Sequence, residues 1–82
     1  MYVRTPGELA LQIVNQRKKL KLSQAEVGDL VGLKQQTVSD FENRPENTKI
    51  DTLFRILSAL DLDIQLNTKN ELNIKSKWSE EW

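Results

Sequence analysis

The residues of this chain best equipped for chemistry are amides, hydroxyls and one ammonium crowded between positions 34 and 43: Lys34, Gln35, Gln36, Thr37, Ser39 and Asn43. Their chemistry is hydrogen bonding, not bond making. A glutamine amide can pair with N6 and N7 of adenine in the DNA major groove, and a lysine can donate to guanine. The chain has no Cys and no His, which removes disulfides, thiolate nucleophiles, imidazole acid–base catalysis and zinc sites built on those ligands. No nucleophile–base pair, glycine-rich phosphate loop or metal cluster stands out, and the carboxylates are scattered at caps and surfaces. The residue types describe a binding protein without enzyme activity, cofactor or metal.

Such side chains read a partner only if a rigid element holds them, and the sequence carries the signals for one. Thr5-Pro6-Gly7-Glu8 sets a hydroxyl at an N-cap, proline at the first helical position and a carboxylate reaching back. Leu9, Ala10, Ile13, Val14 and Leu20 follow at helical spacing, so a first helix is predicted from about Pro6 to Leu20. Ser23-Gln24-Ala25-Glu26 is a second capping box, opening a helix whose apolar face is Val27, Leu30 and Val31. Gly32 can stop it in the left-handed conformation. A third helix is predicted from Lys34 or Gln35 to Asn43, with Val38 and Phe41 on its apolar side. Arg44-Pro45-Glu46-Asn47 reads as a polar loop, and Thr48-Lys49-Ile50-Asp51 as a weaker cap. Leu53, Phe54, Ile56, Leu57 and Leu60 then make the stripe of a fourth helix.

The second and third helices, joined by Gly32-Leu33, have the spacing of a helix-turn-helix over about residues 23–43. Gly32 serves the turn, Gly28 supplies a small residue at the crossing, and Val27, Val31, Leu33, Val38 and Phe41 lock the pair. The polar face of the third helix is left outward. The alternative is an ordinary helical domain with a solvated polar surface.

Charge and length bear on partners. The 82 residues carry 12 basic and 12 acidic side chains, so the formal net charge is zero. The zero is divided: residues 1–49 hold 8 basic and 6 acidic groups, residues 50–82 hold 4 and 6. By charge and position, Arg17, Lys18, Arg44, Asn47 and Lys49 are candidates for phosphate contacts. No apolar run approaches a membrane span and no signal peptide is evident, which makes the cytoplasm the expected compartment.

After the fourth helix the period changes. In 62–67 the apolar Leu62, Ile64 and Leu66 alternate with polar residues, which is strand spacing. A solitary strand leaves both edges unpaired, and a chain this small buries a modest core. The expectation is a homodimer with a two-stranded antiparallel ribbon across its two-fold axis. Packing of the segment as extended coil on its own subunit is the alternative. Residues 68–82 read as a flexible polar tail bearing Trp78 and Trp82, which either anchor a partner or dock on the same domain. The divisions are thus 1–61 for the helix-turn-helix domain, 62–67 for the dimerising strand and 68–82 for the tail.

The run Ser23-Gln24-Ala25-Glu26-Val27-Gly28-x-x-Val31-Gly32-Leu33-x-x-x-Thr37-Val38-Ser39-x-Phe41-Glu42-Asn43 resembles the Xre/Cro-repressor family of helix-turn-helix proteins. The segment from Lys34 to Asn43, the loop Pro45-Glu46-Asn47-Thr48 and the final Glu81-Trp82 resemble, within it, the antitoxins of HipA-like Ser/Thr kinase toxins. The resemblance implies an all-α, four- to five-helix, lambda-repressor-like domain. It implies that Lys34, Gln35, Gln36 and Ser39 face bases of a palindromic double-stranded operator, and that Gln24 bonds a phosphate and buttresses Gln35. Thr37 and Asn43 join the backbone-facing set. Three positions depart from the pattern. Gly28 stands where alanine is usual, Lys34 replaces a serine-type cap, and Asp40 stands where relatives are basic or neutral, so it is expected to point away from phosphates.

Three functions fit these residues: a repressor that autoregulates its operon and holds a kinase toxin, a stand-alone phage or chromosomal repressor, and a protein-interaction module that leaves its helix-turn-helix unused.

Overall fold

The computed structural model describes residues 2–69. Within them the chain forms four α-helices and one short 3-10 turn, in the order α1 Pro6–Lys19, α2 Gln24–Val31, α3 Gln35–Asn43, the turn Pro45–Asn47, and α4 Ile50–Ala59. Local chemistry starts and stops most of them. Thr5 caps α1, its Oγ1 accepting from Glu8 N at 3.1 Å. The Glu8 carboxylate reaches back to Arg4 N at 3.1 Å, one residue before the cap itself. At α2 the reciprocal box closes: Glu26 N donates to Ser23 Oγ at 3.0 Å, and Ser23 N donates to Glu26 Oε1 at 2.9 Å. The backbone bond from Ser23, and then its hydroxyl, hold the Glu26 carboxyl below its ordinary range.

Ends are equally explicit. Lys21 and Asp61 both take the left-handed conformation, φ 59° and 57°. After α1, Lys21 N donates to Lys18 O and Leu22 N to Arg17 O; after α4, Asp61 N donates to Ser58 O and Leu62 N to Leu57 O. Gly32 ends α2 at φ +70°, a conformation that favours glycine.

One core results. Ala10 and Ile13 of α1, Val27 of α2, Val38 and Phe41 of α3, and Ile56, Leu57 and Leu60 at α4 are buried together. Leu9, Leu22, Leu33, Leu53, Ala59 and Leu62 pack around them. Gln16 Nε2 donates to Leu60 O at 3.2 Å, tying α1 to the end of α4. The crossing of α2 and the turn is tight. Leu33 N donates to Gly28 O at 2.8 Å, and a Cβ on Gly28 would collide with the Leu33 carbonyl oxygen. A methyl forces the turn outward; a branched side chain cannot be absorbed. Gly28→Val should therefore lower the stability of the domain by about 2–3 kcal/mol, read as a drop in the urea midpoint at unchanged slope.

Several expectations are corrected. Within the segment 44–47, Pro45–Asn47 is a 3-10 turn where a plain loop was expected, because proline at its first position fits helical φ. The cap of α4 is Lys49, not Thr48, and it makes no side-chain cap bond. Leu20, Leu30 and Phe54, expected on apolar faces, are largely exposed. Residues 62–67 stand apart from these corrections: the expected ribbon pairs two copies, and within one chain the segment makes no ladder because among the described residues there is no second strand. Leu62 packs against the core, whereas Ile64 is 41% and Leu66 91% exposed. The tail tryptophans Trp78 and Trp82 lie outside the described residues.

Candidate nucleic-acid interface

The reading surface is built outward from the core by one chain of polar contacts. At its base, Arg17 of α1 grips Glu42 of α3 with two bonds, Nε to Oε2 at 2.7 Å and Nη2 to Oε1 at 3.0 Å. A third guanidinium hydrogen goes from Nη1 to Leu22 O at 3.0 Å. The two side chains are only 14% and 9% exposed, so the pair is largely withdrawn from water. This corrects the expectation for Arg17. Its fork is engaged inside the domain, where it positions other groups instead of meeting a phosphate.

From Glu42 the chain of contacts turns outward. Gln24 Nε2, at the first position of α2, donates to Glu42 Oε1 at 2.9 Å. That fixes the amide so that Gln24 Oε1 accepts from Gln35 Nε2 at 2.7 Å. Gln35 opens α3 and is exposed. It keeps one N–H and its carbonyl oxygen, the two groups a bidentate contact to adenine requires. Gln24 likewise keeps one amide hydrogen free.

Beside Gln35 the outward side of α3 carries Gln36, exposed, Ser39, half-buried, and Asn43, exposed, whose Nδ2 donates to Ser39 Oγ at 3.3 Å. Thr37 is half-buried at the margin. The structure thus brings Lys34, Gln35, Gln36, Ser39 and Asn43 to one helix with Gln24 against it. Arg44 and Asn47 stand beyond its C-terminal end, where with Asp40, Asn43 and Thr48 they line a polar hollow. Lys18 and Lys49 are exposed, and among the described residues neither they nor Arg44 are in an ion pair.

Two features escaped sequence reasoning. One is the Arg17–Glu42 pair, whose members lie 25 residues apart, so no local spacing announces it. The other is the partner of Asp40: across one helical turn, Gln36 Nε2 donates to Asp40 Oδ1 at 2.8 Å.

Lys34 completes the surface. It is the N-cap of α3 but makes no side-chain cap bond, and its cation sits at the positive end of the helix dipole. Both choices weaken the isolated helix, and an arriving anion or base acceptor reverses the second. Lys34→Ser should raise stability by about 1 kcal/mol, read by thermal or urea unfolding, while weakening duplex binding.

Four helices around one core, with a glycine turn between α2 and α3 and a row of tethered amides along α3, define a helix-turn-helix protein. The chain belongs to the Helix-turn-helix family, whose model matches residues 13–67, and within it to the group of the HipB antitoxins. It is 39% identical over 62 residues to antitoxin HipB of Escherichia coli strain K12, covering 76% of this chain and 70% of that one. The match to HipB of E. coli O6:H1 is also 39% identical and spans 66% of its length. Among solved structures, the fold matches HipB in an HipB–O4 20mer complex with a TM-score of 0.82 at 34% identity, covering 85% of this chain and 99% of that one. A chain of a HipA–HipB–O2–O3 complex matches with a TM-score of 0.83 over the same shares, again at 34% identity. These relatives are antitoxins, and the chain is not an enzyme.

Proposed function

We propose that this protein is a dimeric, sequence-specific operator-binding repressor that autoregulates its operon and serves as antitoxin to a HipA-like Ser/Thr kinase. The observation that carries the reading is the relay Arg17–Glu42–Gln24–Gln35, which ends on an exposed, orientation-fixed amide at the start of α3. A solvated helix surface has no use for an amide held by three successive side chains; a base-reading helix does. In this reading Lys34, Gln35, Gln36 and Ser39 face base edges in the major groove. Gln24, Thr37, Asn43, Arg44, Asn47, Lys49 and Lys18 meet the sugar–phosphate backbone.

The domain spans residues 1–61, and 62–67 pairs with its two-fold mate. Ile64 and Leu66 stand exposed on that segment, and a second copy would cover them. Two-fold symmetry then demands an inverted-repeat operator. In this reading the kinase is met by the tail, 68–82 with Trp78 and Trp82, or by the dimer flank. No described helix is long and apolar enough to cross a membrane, and the reading locates the protein in the cytoplasm, at the nucleoid when bound to DNA.

The test has two arms. Fluorescence anisotropy on duplex should give an affinity that falls steeply and linearly on a log–log plot against salt, because local cations displace counterions even though the whole chain is neutral. A flat plot sinks the DNA claim. Co-expression with a HipA-like kinase should retain the kinase on the tagged protein. Steep salt dependence without retention leaves a stand-alone repressor.

A further inference from the structure

Asp40 is the one acidic group on the outward side of α3, and its surroundings are unusual for a nucleic-acid interface. It is exposed, fixed by the 2.8 Å bond from Gln36 Nε2, and it lines the hollow that also holds Asn43, Arg44, Asn47 and Thr48. Among the described residues it has no ion pair with Arg44 or with any other cation, so its charge is not neutralised within the domain. A carboxylate between a base-reading amide and a phosphate-contacting loop meets one of two surfaces. Against phosphate it is repelled. Against a base edge it can only accept, because an ionised carboxylate carries no proton to donate.

The major-groove edges divide sharply for such a group. Cytosine N4 and adenine N6 present N–H donors, whereas guanine O6 and N7 and thymine O4 are acceptors. Gln36 deepens the bias. One of its amide hydrogens is occupied by Asp40, so the linked pair offers carbonyl and carboxylate oxygens against a single remaining N–H.

We propose that Asp40 is a specificity-determining residue: with Gln36 it requires an exocyclic amine, of cytosine or adenine, at one position of each half-site and excludes guanine and thymine there. The inference rests on α3 being the groove helix. It adds a repulsive element to recognition, which discriminates by penalising wrong partners as well as by rewarding the right one.

The experiment is parallel selection from random-sequence duplex DNA with the full chain and with Asp40→Asn, each checked for an intact melting transition. Asparagine keeps the shape and a bond to Gln36 but both donates and accepts. The wild-type sites should restrict one position per half-site to cytosine or adenine by about tenfold or more. Asp40→Asn should relax that position alone, with the rest of the consensus retained. As a contrast, Arg44→Ala should weaken all sequences alike and lower the salt slope by about one per subunit.

The same base restriction in both proteins overturns the proposal. So does a uniform gain in affinity for every sequence in Asp40→Asn, which would mean that the carboxylate faces phosphate. If the wild-type chain enriches no duplex, the DNA-binding reading fails and this inference falls with it.

Discussion

Alanine at both Gln35 and Gln36 is expected to abolish sequence-specific duplex binding while the domain stays folded. Both side chains are exposed, and neither supports the core. Alanine is also the better helix former, so stability should change by no more than about 0.5 kcal/mol. The loss at the interface is far larger. A good amide–base pair is worth about 1–3 kcal/mol. Two such residues in each of two subunits bring the loss to at least about 4 kcal/mol, or a thousandfold in affinity. That carries a specific complex down to the general attraction for polyanion. Residual binding should keep a steep salt dependence, since the cations Arg44, Lys18 and Lys49 are untouched. Anisotropy titrations beside thermal melts check both halves. Full affinity in the double variant would reduce the module to a protein-interaction domain that leaves its recognition helix idle.

The second large effect separates folding from recognition. Arg17→Ala leaves Glu42, 9% exposed, as a charge without its partner. Breaking a withdrawn pair from one side is expected to cost about 3 kcal/mol, a large share of the stability of a domain this small. Urea unfolding should show it directly. Replacing both partners with apolar residues of similar length, Arg17→Met with Glu42→Leu, removes the stranded charge and should return most of that stability. Duplex affinity should not return with it. Gln24 Nε2 loses the Glu42 Oε1 that orients it, so Gln24 Oε1 no longer holds Gln35 Nε2 in place. A drop of about tenfold or more in affinity at near-native stability is the expected signature. Wild-type affinity in that double variant would mean that the relay is structural only.

Much of the fold was legible because its signals are local. The box Ser23–Glu26, the proline after Thr5 and the left-handed Gly32 each act within a few residues, and each stands where the spacing placed it. The polar row on α3 follows from helical period once Val38 and Phe41 are known to face inward. The link from Gln24 to Gln35 came from family resemblance, and the structure supplies its geometry.

What stayed hidden is tertiary. By charge and position Arg17 reads as a phosphate candidate beside Lys18; only the packing of α1 on α3 brings it to Glu42. Thr48 has the right chemistry for a cap, yet the chain enters α4 one residue later, at Lys49. Strand spacing in 62–67 is a pattern awaiting a partner, and pairing is a property of two chains. Asp40 shows the limit most plainly. Its charge reads as unfavourable near phosphates, but its placement depends on a bond to Gln36 that spacing permits without requiring.

The most direct test of the central claim, that a two-fold dimer reads DNA through α3, is selection of bound sites by the full chain from random-sequence duplex. The account predicts an inverted repeat whose half-site centres lie about one helical turn apart or a whole multiple of it, lost together in the Gln35→Ala, Gln36→Ala variant. Enrichment of a single unrepeated element, or of the same sites by that variant, would contradict it.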